Sequence, residues 1–368
     1  MARNKFLHSK REGDLVRAGD HHNNVLKYYA TEECKNYFYI ALQRCESSLD
    51  DAISGKYKND QVDTMKVVRQ ALEGLNYLHR LKPAVIHLNI KPSNILIGIQ
   101  SGSNNPIGII SDIGLDTQLE LHRDPTEGVK GWMAPELLKQ MYNIDKTKKG
   151  KATVKVDIFA SGILIYFTKS SGKHPYSDNI LEQDERILND EYDLKDLNPV
   201  KDCISLKLIE RMISANPNKR PSMNAVLNHP SFWPKKRVLE YFLKASDFTM
   251  KNDPKISNAI EKGNINVVSS SWISNMDPTI ENKVKSNKKC KYDGSKIKSL
   301  LRAIRNYAHH YNEITKAEQA ALGSLEDQFV DYWLNRFPTL LLHVFEALEP
   351  WKTTHELKEF YDEVHNLD

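Results

Sequence analysis

"HLNIKPSN", His87 to Asn94, is the stretch on which the reading of this chain turns. Two short apolar runs with β character flank it, "AVIH" (84–87) and "NILIGI" (94–99). Upstream, "VDTMKVVRQALEGLNYLHRL" (62–81) sets Met65, Val68, Leu72, Leu75 and Leu78 at three- and four-residue spacings. That spacing predicts an amphipathic helix. "NYFYIALQ" (36–43) predicts a buried strand, and "SGSNNP" (101–106) a turn. The quoted stretch is therefore a polar loop between strands, with amides at Asn89 and Asn94 and a lysine at Lys91.

The bulk numbers set broad bounds. The chain has 368 residues, 40% hydrophobic and 27% charged, enough for two or three domains with at least one large core. A net charge of +4 permits RNA binding without demanding it. Cys34, Cys45, Cys203 and Cys290 form no C-x-x-C pair, and they are expected to be reduced thiols in a cytoplasmic protein. The most apolar run, Ile158 to Phe167, is far shorter than the ~20 residues that span a bilayer, so it predicts a buried helix and no membrane segment is expected.

Further motifs follow the loop in order: "SDIGL" with Asp112, "MAPELL" with Glu136, "KVDIFASGILIYF" with Asp157, "HPY", and "NPNKRPS" with Arg220. Together they resemble the large lobe of a protein kinase, whose signatures are H-R-D-L-x-x-x-N, D-F-G and A-P-E. The resemblance implies that Glu136 pairs with Arg220. It also implies that Lys91, Asn94 and Asp112 would hold ATP or ADP with Mg2+ in the cleft, with Glu12 as the helix glutamate. The departures lie on the catalytic side. Leu88 replaces Arg, and Asn89 replaces the Asp that takes the substrate proton; an amide is not basic near neutral pH. No G-x-G-x-x-G precedes His87, and only Lys5 in "MARNKF" stands near the strand-lysine position. A positioned base is worth on the order of 10²–10⁴-fold, so the expectation is a pseudokinase.

Past Trp233 the composition changes. "KNDPKISNAIEKGN" (251–264) is polar and weakly periodic, and helices are predicted over 296–311, 315–322 and 325–348, the last broken at Pro338. Within the first of these, Ile297, Leu300, Leu301, Ile304 and Ala308 form a buried stripe, leaving Arg302, Arg305, Asn306, His309 and His310 mainly off it. Asn306 and His310 are i, i+4 and share a face. Seven Lys against two acids lie between Glu281 and Lys298, which suits a phosphate backbone. Spacing alone reads this as a solvated basic face.

The join "HPSFWPKKRVLEYFLKASD" (229–247), the segment "KYDGSKIKSLLRAIRNYAHHYNEI" (291–314) and "DYWLNRFPTLLLHVFEAL" (331–348) resemble the inositol-requiring kinase/endoribonuclease family of the unfolded-protein response, to which ribonuclease L is related. The resemblance covers about 10–350 and is specific at R-N-x-x-x-H-Y, with a Tyr upstream and R-F-P downstream. It implies a mainly α chain with a small β component: a remnant of a kinase N-lobe at 1–45, so that the N-lobe is truncated, a kinase-like C-lobe at 46–236, an all-helical KEN ribonuclease domain at 237–350, and a charged tail at 351–368. It further implies metal-independent cleavage of RNA by 2′-hydroxyl attack. His310 is then general acid, Tyr292 general base or 2′-hydroxyl orienter, and Arg305 and Asn306 bind the scissile phosphate. No metal and no cofactor is expected in that site. Expected partners are RNA and a second copy in a homodimer or higher oligomer, or a heterodimer with a full-length relative. Those relatives are anchored in the endoplasmic reticulum membrane; no anchor is read here. Two other readings stay open: an active or nucleotide-binding serine/threonine kinase, and a non-catalytic pseudokinase adaptor.

Overall fold

The computed structural model describes residues 22–34, 37–100, 102, 104–112, 130–142, 144, 152–251, 253–286, 290–325 and 327–365. Lys5 and Glu12 lie outside them, as do Ile113 and Gly114. The chain divides into two compact units, 1–197 with 208–227, and 198–207 with 228–368.

In the first unit, β1 (Tyr28–Cys34) and β2 (Tyr37–Leu42) form an antiparallel pair. A second antiparallel sheet runs β3 (Ser47–Ser48), β4 (Ile95–Ile99), β5 (Pro106–Ile110). The strand expected over 36–43 is present as β2; Tyr39 is 57% and Leu42 40% exposed, while Ile40 is half-buried against the cluster of Leu26, Tyr28, Ile107 and Ile109. The run 84–87 forms no strand. The backbone N–H of His87 instead donates to the Asp157 carboxylate at 2.8 Å, so it is spent on a side chain rather than on a ladder.

Helix α1 (Leu49–Ile53) follows β3, and α2 (Thr64–Arg80) is the amphipathic helix expected over 62–81. Asp63 caps it, accepting from Lys66 N at 3.0 Å. Its stripe of Val67, Val68, Ala71, Leu72, Leu75 and Leu78 is buried, each large residue worth about 1.5–3 kcal/mol relative to exposure. β5 lies directly on this helix because residue 108 is glycine; a Cβ there would sit 2.1 Å from the Val67 carbonyl oxygen.

Helices α3 (Pro135–Met141), α4 (Lys155–Lys169), α5 (Ile180–Leu188), α6 (Cys203–Met212) and α7 (Met223–Leu227) follow. α4 carries the apolar run and is buried almost all round. Arg220 is 2% exposed and forks onto Glu136 at 2.7 and 2.9 Å, as the motif order implied. Two further N–H groups reach the carbonyls of Ser214 and Lys155 at 2.8 and 2.9 Å, so the buried cation is paired and hydrogen-bonded.

The second unit is helical: α8 (Lys235–Thr249), α9 (Pro254–Glu261), α10 (Ile265–Val268), α11 (Pro278–Ser286), α12 (Ile297–His309), α13 (Lys316–Leu322), α14 (Gln328–Arg336), α15 (Leu340–Leu348) and α16 (Lys358–His365). The polar segment 251–264 holds α9, anchored by buried Ile256 and Ile260. The core gathers Tyr241, Trp272, Phe329, Trp333 and Phe337. The segment read as a tail contributes to it: Leu357, Phe360 and Tyr361 are buried. Tyr361 stacks on Phe345 with ring centroids 4.5 Å apart and donates to the Phe345 carbonyl at 2.7 Å. Among the described residues no helix is long and apolar enough to cross a membrane.

Candidate active site

Helix α12 organises the site. The Glu261 carboxylate accepts from Ile297 N and Lys298 N, both at 3.0 Å, and so occupies its N-terminus. The stripe Ile297, Leu300, Leu301, Ile304 and Ala308 is buried, which turns Arg302, Arg305 and Asn306 to the half-exposed face and leaves His309 and His310 exposed. His310 closes the helix, its N–H donating to the Asn306 carbonyl at 3.0 Å.

Tyr292 reaches this face from the segment before the helix. Trp272 pins that segment: its N–H donates to the Gly294 carbonyl at 2.9 Å, its indole N–H to the Asp293 carbonyl at 3.0 Å, and its ring meets Tyr292 edge-on at 5.8 Å. Gly294 permits the approach, since a Cβ there would lie 2.1 Å from Ser271 Oγ. Asn306 Nδ2 then donates to Tyr292 Oη at 2.9 Å and lies 3.9 Å from Cys290 Sγ. Burial pushes the Tyr292 phenol up to about 12; the Asn306 amide works against this shift and Cys290 with it. The phenol is therefore protonated at neutral pH.

Arg305 stands beside Asn306, with Nη1 3.5 Å from Asn306 Oδ1. Its Nε lies 2.5 Å from Asp247 Oδ1, a charge contact without the alignment of a hydrogen bond. His310 Nδ1 lies 3.0 Å from Glu313 Oε2. Tyr292, Asn306 and His310 line one pocket of about 280 Å³, together with Lys283, Tyr307 and Glu318. The structure thus brings together the four residues singled out in the sequence. Asp247, Cys290, Lys283 and Glu318 were missed. The "SD" at 246–247 stood in the sequence pattern, but nothing local linked its carboxylate to Arg305.

The kinase-like residues are placed differently. Asp157 accepts from His87 N, Leu88 N and the His79 ring at 2.8, 2.9 and 2.8 Å. These bonds hold Leu88 at φ 66, a left-handed conformation unfavourable for leucine. Asn94 is buried and donates to the Asn89 carbonyl at 2.9 Å, and Asn89 is 4% exposed. Ser111 N and Oγ donate to the Asn94 carbonyl at 3.0 and 2.9 Å, which brings Asp112 beside the loop. Burial, and then the Asp112 charge, push the Tyr28 phenol up to about 12. Lys91 lines a separate pocket with Asp50, Trp132 and His174.

A kinase-type lobe followed by a helical unit presenting Tyr, Arg, Asn and His on one face defines the class: a kinase-like domain fused to a ribonuclease domain. A protein kinase domain model matches residues 2–232, and a Ribonuclease 2-5A model matches 238–361. The chain is 32% identical to serine/threonine-protein kinase/endoribonuclease ire-1 of Caenorhabditis elegans, over 98% of this chain and 37% of that protein. It is 34% identical to human serine/threonine-protein kinase/endoribonuclease IRE2, over 92% and 37%, and 31% identical to the sensor for unfolded proteins in the ER ire1 of Schizosaccharomyces pombe, over 93% and 34%. It therefore belongs to the IRE1 family of kinase/endoribonucleases. The chain spans about a third of the length of these curated relatives.

Proposed function

We propose that this chain is an endoribonuclease that cleaves RNA through attack of a 2′-hydroxyl on the adjacent phosphate. The observation that carries this reading is the Tyr292–Asn306 hydrogen bond in the pocket that His310 also lines. The 2′-oxygen bonds to phosphorus, the bond from phosphorus to the 5′-oxygen breaks, and His310 protonates that 5′-oxygen. The 2′-hydroxyl proton passes to water in the open pocket, and the product carries a 2′,3′-cyclic phosphate. Glu313 beside Nδ1 orients the ring and leaves Nε2 for the leaving oxygen. Of the two roles considered for Tyr292, its raised pKa supports the orienter, because a protonated phenol is no base. Arg305 and Asn306 bind the scissile phosphate.

The kinase-like unit serves in this proposal as a pseudokinase scaffold that pairs two nuclease units, with the boundary near 236. Asn94 and Asp112 offer oxygen donors that fit magnesium, so the unit would hold a magnesium nucleotide without transferring phosphate. The deciding assay is cleavage of a structured RNA by the purified chain, with and without EDTA. Cleavage in EDTA, lost in His310→Ala, supports the reading. Cleavage abolished by EDTA, or unchanged in His310→Ala, refutes it.

A further inference from the structure

Tyr292 faces the pocket just described, while its neighbours Lys291 and Asp293 line a second and larger cleft of about 440 Å³. Lys296, Lys298 and Arg302 complete its cationic lining, and Glu261 also lines it. Both carboxylates are already engaged. Glu261 accepts the two backbone N–H groups that open α12. Asp293 accepts from Ser295 N and Oγ at 2.9 and 2.7 Å, bonds that hold its carboxyl below the usual range. None of the four cations makes an ion pair among the described residues. Four cations against two engaged acids leave a cleft of net positive charge.

The cleft adjoins the candidate active site along one helix. Arg302 and Asn306 are i, i+4 on α12, one turn or about 6 Å apart along the axis. That step is comparable with the separation of neighbouring phosphates on one RNA strand. Arg302 also acts electrostatically on Tyr292, which ties the two pockets together.

We propose that this cleft binds a second phosphodiester of the RNA, neighbouring the scissile one, and so fixes the direction in which the strand crosses the site. The inference rests on the ribonuclease reading, and its test separates the two. The first readout is cleavage by the full chain of a dinucleotide with one phosphate, and of trinucleotides extended by one phosphate on either side. For the wild type, one of the two extensions raises kcat/KM by about tenfold or more. Lys296→Gln/Lys298→Gln abolishes that gain and leaves dinucleotide cleavage within about twofold.

The second readout needs no cleavage. For a single-stranded oligonucleotide with 2′-deoxy residues throughout, the slope of log K against log salt falls in magnitude by about 0.7 in the double variant, the contribution of one lost phosphate contact on a single strand. Far-UV circular dichroism verifies its fold, and Lys291→Gln/Arg302→Gln provides an independent pair. Equal salt slopes and an unchanged extension gain in both double variants overturn the inference, while the ribonuclease reading stands if RNA is still cut. Failure of the wild type to cut any RNA overturns the ribonuclease reading, and the salt slope still decides whether the cleft holds phosphate.

Discussion

Asp247→Asn tests whether the site depends on a partner that no motif names. The substitution keeps the size of the side chain and removes the charge 2.5 Å from Arg305 Nε. The two side chains are 35% and 54% exposed, so the pair contributes only about 0.2–1 kcal/mol to stability, and the variant should fold normally. The effect on rate should be larger. A charge-assisted hydrogen bond from Arg305 to the phosphate is worth about 1.5–3 kcal/mol, which is about 10- to 150-fold in kcat/KM if lost altogether. Asp247→Asn misplaces the guanidinium without deleting it, so the fall expected is near the lower end, about tenfold, and mostly in kcat. Initial rates on a fluorogenic RNA give both parameters. The decisive comparison is a double-mutant cycle: in an Arg305→Ala background, Asp247→Asn should cost nothing further. Additive losses would show that Asp247 acts elsewhere. A faster Asp247→Asn enzyme would show that the carboxylate competes with phosphate for Arg305 rather than orienting it.

His310→Ala should lower cleavage by on the order of 10²-fold or more, and His309→Ala by much less, which single-turnover rates will show. RNA with a 2′-deoxy sugar at the cut site should resist cleavage; equal cutting would remove the proposed nucleophile. Tyr292→Phe should impair cleavage, and a difference titration at 295 nm should place the Tyr292 phenolate near pH 12. An unfolded phenol ionises near 10, so the folded state retains this proton while the unfolded state loses it, and stability should fall between pH 10 and 12. Truncation after Pro350 removes Leu357, Phe360 and Tyr361 from the core, about 1.5–3 kcal/mol each, and should leave the helical unit unfolded by thermal melts.

Much of the fold could be read from periodicity, and its failures have local causes. The helices α2 and α12 announce themselves by three- and four-residue spacing because each buries one stripe, and α4 by a continuous apolar run because it is buried almost all round. "AVIH" does not pair as a strand because the N–H groups of His87 and Leu88 go to Asp157, a residue far along the chain. Charge hid the end of the molecule: Lys352, His355, Glu356, Lys358 and Glu359 surround the three residues that pack. In α9 only Ile256 and Ile260 mark the buried face, too few for a visible period. At the site, Tyr292 and Asn306 were singled out only through the family resemblance, and their hydrogen bond comes from the structure. Asp247 was not singled out, since only packing of α8 on α12 places it against Arg305.

The two units also differ in how their polar groups are used, and this bears on where chemistry resides. In the kinase-like loop, the bonds that matter run through the backbone. Asp157 holds the N–H groups of His87 and Leu88, and Asn94 holds the carbonyl of Asn89 rather than its side chain. These bonds form here with an amide at position 89, so the frame persists without a carboxylate there. Arg220 likewise has its donors taken by Glu136 and two carbonyls. Along α12 the balance is opposite. Lys296, Lys298 and Arg302 form no close salt bridge among the described residues, and His310 is 60% exposed. Side chains committed to a fold cannot also serve a substrate, while unpaired cations cost little at a surface and attract phosphate strongly. Under the proposed scaffold role, Asn89→Asp should leave labelling from radiolabelled ATP at background. Labelling that rises in Asn89→Asp and vanishes in Asn89→Asp/Asp112→Ala would place working chemistry in the first unit after all.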